Sequence, residues 1–300
     1  MGRPACPDPL EPPPRVRPMA VLLGVLVAAS FGSGDFLGGR ASRRAPTLTV
    51  LLVAQAAAVV GAVVVSLFVS ARVAPHDVAY GALAGCFNII GLGLLYQGLA
   101  VGRMGVVAPL TAVVASIVPV TWAIANGERP SAMVIVGAVL ALVAAALIAR
   151  QTDDDQLDTP NAMGIGWSLC SGAFFGVSLL LYVQTSSGSG LFPVLAARVA
   201  ALALVAVTLG VVAARGKALP LPRAADRTLS VGAGVLDVTA GTLLLLAVRR
   251  GLIVVVAPVA ALGPAATVIL ARSVLGERLQ PVQVVGLAFA LVGLFMIAIG

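Results

Sequence analysis

The chain has 300 residues, of which 60% are hydrophobic and only 10% are charged, and its formal net charge at pH 7 is +7. Soluble domains contain about 45 to 50% apolar and about 25% charged residues, so this composition excludes an ordinary soluble protein. The arginines lie in short segments between apolar runs, which favours cations at a membrane surface over a nucleic-acid-binding face. The sequence therefore predicts a membrane protein.

Residues 1–18 are rich in proline, so we predict a flexible N-terminal tail there, with Met19 as an alternative translation start. The rest of the chain alternates between apolar runs and short polar segments. A helix needs about 20 apolar residues to cross a hydrocarbon core about 30 Å thick. The predicted fold class is therefore an all-α membrane protein with ten transmembrane helices. We place them at 19–38, 47–70, 78–98, 104–125, 131–149, 162–183, 191–213, 229–248, 252–275 and 281–300.

The sequence repeats itself at an offset of 149 residues. Val-Val-Ala-Pro at 106–109 returns at 255–258, and Gly-Glu-Arg at 127–129 returns at 276–278. Near the start of each half the offset is 143. Chance matches of alanine and valine are common in an apolar chain, but proline, glycine and Gly-Glu-Arg rarely align in one register. The pattern predicts two related five-helix units.

These units define the predicted domain organisation. We expect a first five-helix repeat at 19–149, an exposed acidic linker at 150–161 and a second five-helix repeat at 162–300. Because each repeat has an odd number of helices, the second enters the membrane from the opposite side, and the repeats are inverted. A cavity between inverted repeats can face one side of the membrane and then the other.

Each Gly-Glu-Arg lies between two predicted helices, with Pro130 or Pro281 close behind it. Glycine ends one helix, glutamate is favourable near the next N-terminus, and arginine reaches lipid headgroups. We expect a structural turn, with a gate-forming ion pair as the alternative.

Two such repeats, each with Val-Ala-Pro, Gly-Glu-Arg and a glycine-containing final helix, resemble the EamA-type members of the drug/metabolite transporter superfamily over residues 19–300. Phe-Gly-Ser-Gly-Asp-Phe at 31–36 resembles the Trp-Gly-Ser-Asn-Phe type of stretch found in that family at the end of the first helix. The resemblance implies a ten-helix carrier of small metabolites in the inner (cytoplasmic) membrane, commonly an exporter, with both termini cytosolic. With that orientation most loop Lys and Arg residues fall outside, so the positive-inside rule favours the opposite one.

Charged side chains lie deep inside two predicted helices, Arg198 in the seventh and Asp237 in the eighth. A charge at mid-bilayer costs on the order of 2.5 to 3.5 kcal/mol, so each one requires a reason. Adding 149 to Asn88 gives 237, and adding 143 to Gln55 gives 198, so both repeats are polar at the same two positions. Either the charges form a buried ion pair that holds helices together, or Asp237 faces a central cavity and binds substrate or a coupling proton.

Asp35 is a second candidate for this site because of its place in the 31–36 stretch, although Arg40 nearby favours an interfacial position. Tyr182, near a helix end, is also expected at the membrane interface. Hydroxyl groups and one ring on the fourth and ninth helices are further candidates, with bonding to their own helix backbone as the alternative. These residues are Thr111, Ser116, Trp122 and Thr267.

Prolines inside predicted helices point to the same region. Pro109 and Pro119 in the fourth helix, and Pro258 and Pro264 in the ninth, are predicted to bend or break their helices. Broken helices at matching places in two repeats are typical of a transporter binding site.

An intramembrane enzyme is not expected. The chain has one histidine, His76, in a loop, and one lysine, Lys217, so neither a Ser-His pair, a His-Glu-x-x-His helix nor a phosphate-binding Gly-Lys loop can be built. Its three cysteines are scattered, which predicts no metal site and no cofactor. We therefore predict a secondary active transporter of a small molecule, acting in the bilayer as a monomer or homodimer, with protons as the candidate coupling ion. The alternatives are a passive channel and a non-transporting scaffold.

Overall fold

The structure, a computed structural model, describes residues 18–42, 44–69, 72–101, 104–148, 162–217, 219–250, 253–263, 266 and 281–299. None of the described residues is in a β-strand, which confirms the all-α prediction. The helices are α1 Pro18–Ser42, α2 Thr47–Leu67, α3 Pro75–Val101, α4 Met104–Ala125, α5 Ala132–Ile148, α6 Ala162–Val183, α7 Phe192–Ala214, α8 Ala224–Arg250, α9 Ile253–Ala260 and α10 Pro281–Ile299.

Six of these helices, α1, α2, α3, α6, α7 and α8, contain described segments that are long and apolar enough to cross a membrane. Large apolar side chains on the outside of the bundle fit a lipid environment. On α2, Val60, Val64 and Leu67 form an exposed face with helical spacing. On α10, Leu291 and Phe295 do the same. An exposed apolar surface of this extent is stable in lipid rather than in water, so the protein is a multi-pass membrane protein.

Helix bounds agree with the sequence prediction to within a few residues, except at the start of α8 and in the ninth segment. The helix α8 begins at Ala224, five residues before its predicted start. The helix α4 continues from Met104 to Ala125 through Pro109 and Pro119, so the predicted break there is absent. The helix α9 contains Pro258 and ends at Ala260. Pro264 lies outside the described residues.

The helix end at the first Gly-Glu-Arg has the geometry predicted for a glycine cap. Gly127 has a φ of 97°. Its N–H donates to the Ile124 carbonyl at 3.1 Å, and the Glu128 N–H donates to the Ala123 carbonyl at 3.0 Å. These two bonds close the last turn of α4, and only glycine adopts that φ without strain. The second Gly-Glu-Arg lies outside the described residues, as do the N-terminal tail and the acidic linker.

The two predicted halves interleave rather than forming separate bundles. The helix α1 packs against α8 and α9, and α3 packs against α6 and α7. Further pairings are α2 with α7 and α8, α4 with α6, and α5 with α10. Every one of these pairings joins a helix before the linker to a helix after it, so the interface between the halves is the core of the molecule.

The relative direction of two helices in a pair follows from individual contacts. Gly34 of α1 lies beside Ala233 of α8, and Leu37 lies beside Gly232, so α1 and α8 are antiparallel. Ser171 of α6 donates a hydrogen bond to the Gly91 carbonyl of α3, and Ser178 donates one to the Ala84 carbonyl. The later residue of α6 thus meets the earlier residue of α3, so α3 and α6 are antiparallel too.

In three other pairs, the two helices run parallel to each other. Gly81 and Gly85 of α3 approach Pro193 and Ala197 of α7 in that order, so α3 and α7 are parallel. The helix α4 is parallel to α6, since Gly172 lies beside Val114 and Gly176 beside Val118. The helix α1 is parallel to α9, since Gly24 lies beside Val259 and Gly32 beside Gly263. Small residues at these contacts let helix backbones approach closely, as in other membrane bundles.

Candidate functional site

A cavity of about 280 Å³ lies inside the bundle, between helices of both halves. Residues of α1, α2, α3 and α4 line it together with residues of α6, α7, α8 and α9. Most of the lining is apolar. The charged lining residues are Asp35, Arg198 and Asp237, and the uncharged polar ones are Gln55, Asn88, Thr111, Ser116, Ser178 and Tyr182. Seven of the nine predicted binding residues therefore meet in one cavity.

Arg198 of α7 and Asp237 of α8 form an ion pair on the cavity wall. Arg198 Nη1 donates to Asp237 Oδ2 at 2.5 Å, and Nη2 donates to the Asp237 backbone carbonyl at 3.2 Å. The Arg198 side chain is 4% exposed and that of Asp237 is 22% exposed. Gly241, one turn after Asp237, leaves the room that the guanidinium occupies, because a methyl group there would lie 2.6 Å from Nη2.

Gln55 of α2 joins this pair from the other half. Its Nε2 donates to the same Asp237 Oδ2 at 3.2 Å. Gln55 is buried, and its Oε1 has no hydrogen-bond partner among the described residues. Buried polar atoms are nearly always bonded, so an acceptor left over on a cavity wall marks a place for a ligand or water donor.

Asp35 of α1 also lines the cavity, which differs from the interfacial position that Arg40 favoured. Its carboxylate is exposed and has no hydrogen bond or ion pair with another described residue. The helix α1 continues to Ser42, so Asp35 lies about two turns inside the helix rather than at its end. The position of Asp35 within α1, rather than its distance along the sequence from Arg40, determines its surroundings.

The hydroxyl groups on the cavity wall donate to backbone carbonyls of neighbouring helices. Thr111 bonds the Ser168 carbonyl at 3.3 Å, Ser116 bonds the Ala257 carbonyl at 3.2 Å, and Ser178 bonds the Ala84 carbonyl at 2.8 Å. These bonds tie α4 to α6, α4 to α9, and α6 to α3. The hydroxyl oxygens remain available as acceptors toward the cavity.

Two predicted site residues do not reach the described cavity. Trp122 packs instead against a buried cluster that includes Ala123, Leu179 and Val255. Thr267 lies outside the described residues. Among the prolines, Pro119 and Pro258 are buried without lining the cavity, although Ala257 and Ala260 beside Pro258 do line it.

One face of α6 lines the cavity although the sequence did not single it out. Phe175, Ser178, Leu179 and Tyr182 all line the cavity. Tyr182 lies next to the end of α6, as predicted, but it is only 5% exposed and faces the cavity. These four residues have the spacing i, i+3, i+4 and i+7, so they share one helix face. That spacing is present in the sequence, but it does not show whether the face meets a cavity or another helix.

Most of the chain has the fold of a protein that has been solved by crystallography. In that crystal structure the match covers 92% of this chain and 97% of the other, with a TM-score of 0.75 and 14% sequence identity. The likeness establishes the fold alone. No protein-family model matches the chain, and no curated protein sequence matches it significantly.

One end of the bundle is held by a polar cluster that we call the Asp77 clasp, formed by Asp77, residues 185–190 and Arg249. Asp77 is fully buried at the start of α3. Its two oxygens accept hydrogen bonds from the N–H and the hydroxyl of Ser186, both at 2.7 Å. Arg249, near the end of α8, donates to the carbonyls of Gly190 at 2.7 Å and Ser186 at 2.8 Å. The α6–α7 loop is thereby fixed to α3 and α8.

The opposite end is held more loosely among the described residues. Asp226, at the start of α8, is buried, and its Oδ1 has no hydrogen bond. Arg44 of the α1–α2 loop has its Nη1 3.8 Å from that oxygen, and the Arg44 side chain is 60% exposed. An ion pair of that length and exposure contributes about 0 to 1 kcal/mol. Within the part of the chain described, the two ends thus differ in how firmly they are closed.

No group of three or more His, Cys, Asp or Glu residues that could hold a metal ion occurs within the described ranges. The cavity instead offers carboxylates, two amides, hydroxyl oxygens and aromatic rings. This set of groups can bind and release a small polar molecule.

Proposed function

We propose that the protein is an EamA-type secondary active transporter, which moves a small metabolite across the cytoplasmic membrane by alternating access. The observation that carries the proposal is the cavity that encloses Asp35, Arg198 and Asp237 between helices of both halves. Ionisable groups inside a membrane protein are costly and mark substrate or ion pathways. Transporters built from repeats place their binding site at the interface between the repeats. The proposal assigns the cavity a binding role and no catalytic reaction.

The architecture that we propose is ten transmembrane helices in two inverted repeats. The helix α1 is antiparallel to α8 and parallel to α9, whereas α6 is antiparallel to α3 and parallel to α4. Exchanging α1 with α6, α3 with α8 and α4 with α9 converts one set of pairings into the other. A pseudo-two-fold relation between halves has this consequence.

Individual contacts support the same relation. A methyl group at Gly85 would collide with the Ala197 carbonyl oxygen, and one at Gly234 would collide with the Ala54 carbonyl oxygen. Gly85 and Gly234 are 149 residues apart, and Ala54 and Ala197 are 143 apart. These are the two offsets found in the sequence, so one close contact occurs twice.

The aspartates at the two ends of the bundle are also related by the 149-residue offset. Asp77 and Asp226 are 149 residues apart, and each begins the third helix of its half. Asp77 bonds the loop between the first two helices of the other half at 2.7 Å, whereas Asp226 lies 3.8 Å from the equivalent loop. We propose that the halves exchange these arrangements during transport, so that one end closes as the other opens.

The coupling ion in this proposal is a proton carried by Asp35. Asp237 was the candidate from sequence, but Arg198 and Gln55 bind its Oδ2. Asp35 has no such partner among the described residues. The titratable or charged groups that face it across the cavity are Asp237, Arg198 and Tyr182. A proton entering on Asp35 would offset its charge in the apolar interior and drive export of the substrate in exchange.

Flux through proteoliposomes that contain the purified protein tests the proposal. A carrier gives flux that saturates with substrate, accelerates with an opposing proton gradient and accelerates again when unlabelled substrate is present on the far side. A conductance that ignores substrate would identify a channel. An absence of flux for all compounds in a metabolite screen would identify a scaffold.

A further inference from the structure

We infer that the substrate is a small organic cation with at least one N–H group, that is, a primary or secondary ammonium. This inference names the substrate class of the cavity and rests on the proposed function. It follows from the charge, the unpaired acceptors and the shape of the lining.

The charges on the cavity wall do not balance. Asp35 and Asp237 are carboxylates, and Arg198 is the one cation among the described lining residues. Arg198 directs both terminal nitrogens to Asp237. Asp35 is therefore left without a counter-charge on the wall of a mostly apolar cavity, where an unpaired charge is costly. A bound cation would remove that cost.

A second observation points to a hydrogen-bond donor. Gln55 is 3% exposed, and its Oε1 has no partner among the described residues. Its Nε2 is fixed on Asp237, which sets the orientation of the amide. An acceptor held in this way can receive a hydrogen bond from a ligand, and an ammonium N–H supplies one.

The remaining lining selects an organic cation over an inorganic one. Calcium requires six to eight oxygen ligands, and magnesium about six in octahedral geometry, whereas this lining is mostly apolar. Phe31, Phe175 and Tyr182 present aromatic rings, which attract ammonium groups as well as alkyl chains. A volume of about 280 Å³ lies at the lower end of the range for ligand pockets, so the molecule is small.

An anionic ligand fits these groups poorly. A carboxylate in the cavity would meet the unpaired charge of Asp35, while the terminal nitrogens of Arg198 are already bound to Asp237. A zwitterionic amino acid combines the favourable and the unfavourable group. We therefore expect an amine to bind more tightly than the amino acid or acid that shares its carbon skeleton.

A matched series of three probes tests this order. Isoamylamine, leucine and isocaproate share one branched skeleton and carry a positive, a zwitterionic and a negative head at pH 7. Calorimetric titration of the detergent-purified full chain should show isoamylamine binding at least about tenfold more tightly than either of the others, since a hydrogen bond to a charged group is worth about 1.5 to 3 kcal/mol. Equal or tighter binding of leucine or isocaproate, or no binding of isoamylamine at millimolar concentration, would overturn the inference.

Variants assign the binding to the named groups. Asp35→Asn should weaken isoamylamine binding by about ten- to a hundredfold, and Asp35→Glu should restore part of it. Gln55→Met should weaken isoamylamine but not its N-trimethylated analogue, which has no N–H to donate. Glu128→Gln removes a carboxylate that does not line the described cavity, so it should leave the affinity for isoamylamine unchanged. Unchanged affinity in Asp35→Asn would contradict the site even if the amine binds.

The same experiments separate this inference from the proposed function. If the amine binds as stated but no compound gives saturable flux, the transporter proposal fails and the cation site stands. If flux saturates for an acid or an amino acid and the amine does not bind, the transporter stands and the cation class fails.

Discussion

The Arg198–Asp237 pair combines two charges that are largely removed from solvent. Each side chain is more than three-quarters buried, and the pair is completed by Gln55 and by the Asp237 carbonyl. Removing one member of a buried pair leaves the other uncompensated, which costs about 3 to 5 kcal/mol, whereas replacing both is often close to neutral. The pair therefore couples α7 to α8 on the wall of the cavity.

We expect Arg198→Met to lower the unfolding temperature of the detergent-purified protein more than the double variant Arg198→Met/Asp237→Asn does. The single variant buries an unpaired carboxylate, and the second substitution removes that charge. Thermal unfolding of the two single variants and the double variant gives the coupling directly. Strictly additive shifts would show that the charges do not interact.

Asp35 is the carboxylate whose loss should affect coupling rather than stability, because it has no partner among the described residues. In Asp35→Asn we expect normal membrane insertion and, at saturating substrate, flux that no longer accelerates with an opposing proton gradient. Asp237→Asn, in contrast, should reduce flux with and without the gradient, because it releases Arg198. Gradient-driven flux in Asp35→Asn equal to that of the unchanged protein would assign the proton elsewhere.

At the scale of helices, close backbone contacts set how the halves fit together. Gly85 and Gly234 each lie against a carbonyl of a helix in the other half, and a side chain there forces the helices apart. Gly93 of α3 and Gly210 of α7 have nothing within 4 Å of the position that a methyl group would take. The four glycines thus form a matched set of two tight and two open positions.

Gly85→Ala and Gly234→Ala should each reduce stability by about 1 to 3 kcal/mol, the usual cost of overpacking. Gly93→Ala and Gly210→Ala should be neutral or stabilising by up to about 1 kcal/mol, because alanine is the better helix former. Thermal unfolding in one detergent ranks all four variants. A loss at Gly85 without a comparable loss at Gly234 would contradict the equivalence of the two contacts.

The Asp77 clasp gives a prediction about access to the cavity. Asp77→Asn removes the negative charge and replaces one of the two acceptor oxygens with an NH₂ group, which weakens the bonds to Ser186, so the α6–α7 loop should open more often. A cysteine introduced at Leu244, on the cavity wall, reports this in a background without the three native cysteines. An impermeant maleimide applied on the side of the α6–α7 loop should then react faster.

Asp226→Asn is the matched control for that experiment. It changes the equivalent aspartate at the other end of the bundle, so it should not accelerate labelling from the side of the α6–α7 loop. Equal acceleration by both variants would mean that the substitutions loosen the bundle in general and that the clasp does not control access.

For the molecule as a whole, the sequence predicts the helices well because the bilayer sets their length and apolar character. It predicts less about which side chains meet. The depth of Asp35 depends on where α1 ends, and the pattern around Arg40 does not show this. Asp77 and Ser186 are 109 residues apart, so local spacing cannot reveal their contact. Asp77 and Asp226 are nevertheless 149 residues apart, which is the offset visible in the sequence, so the proposed repeats make these two positions equivalent.

The proposed repeat would also account for why polar residues of distant segments share one cavity. Gln55 and Arg198 are equivalent by the 143-residue offset, and Asn88 and Asp237 by the 149-residue offset. Inverted halves place equivalent positions around one axis in the membrane plane. All four residues line the cavity, as that arrangement requires.

The most direct test of the account is the side of the membrane on which equivalent loops lie. Val73 precedes α3, Lys217 follows α7, and both are exposed in loops that join the second and third helices of their halves. Cysteines at these two positions, labelled in intact cells or oriented vesicles with an impermeant maleimide, should react from opposite sides, and the result also decides the orientation that the loop charges leave open. Labelling of both from the same side would contradict inverted repeats and the alternating-access carrier built on them.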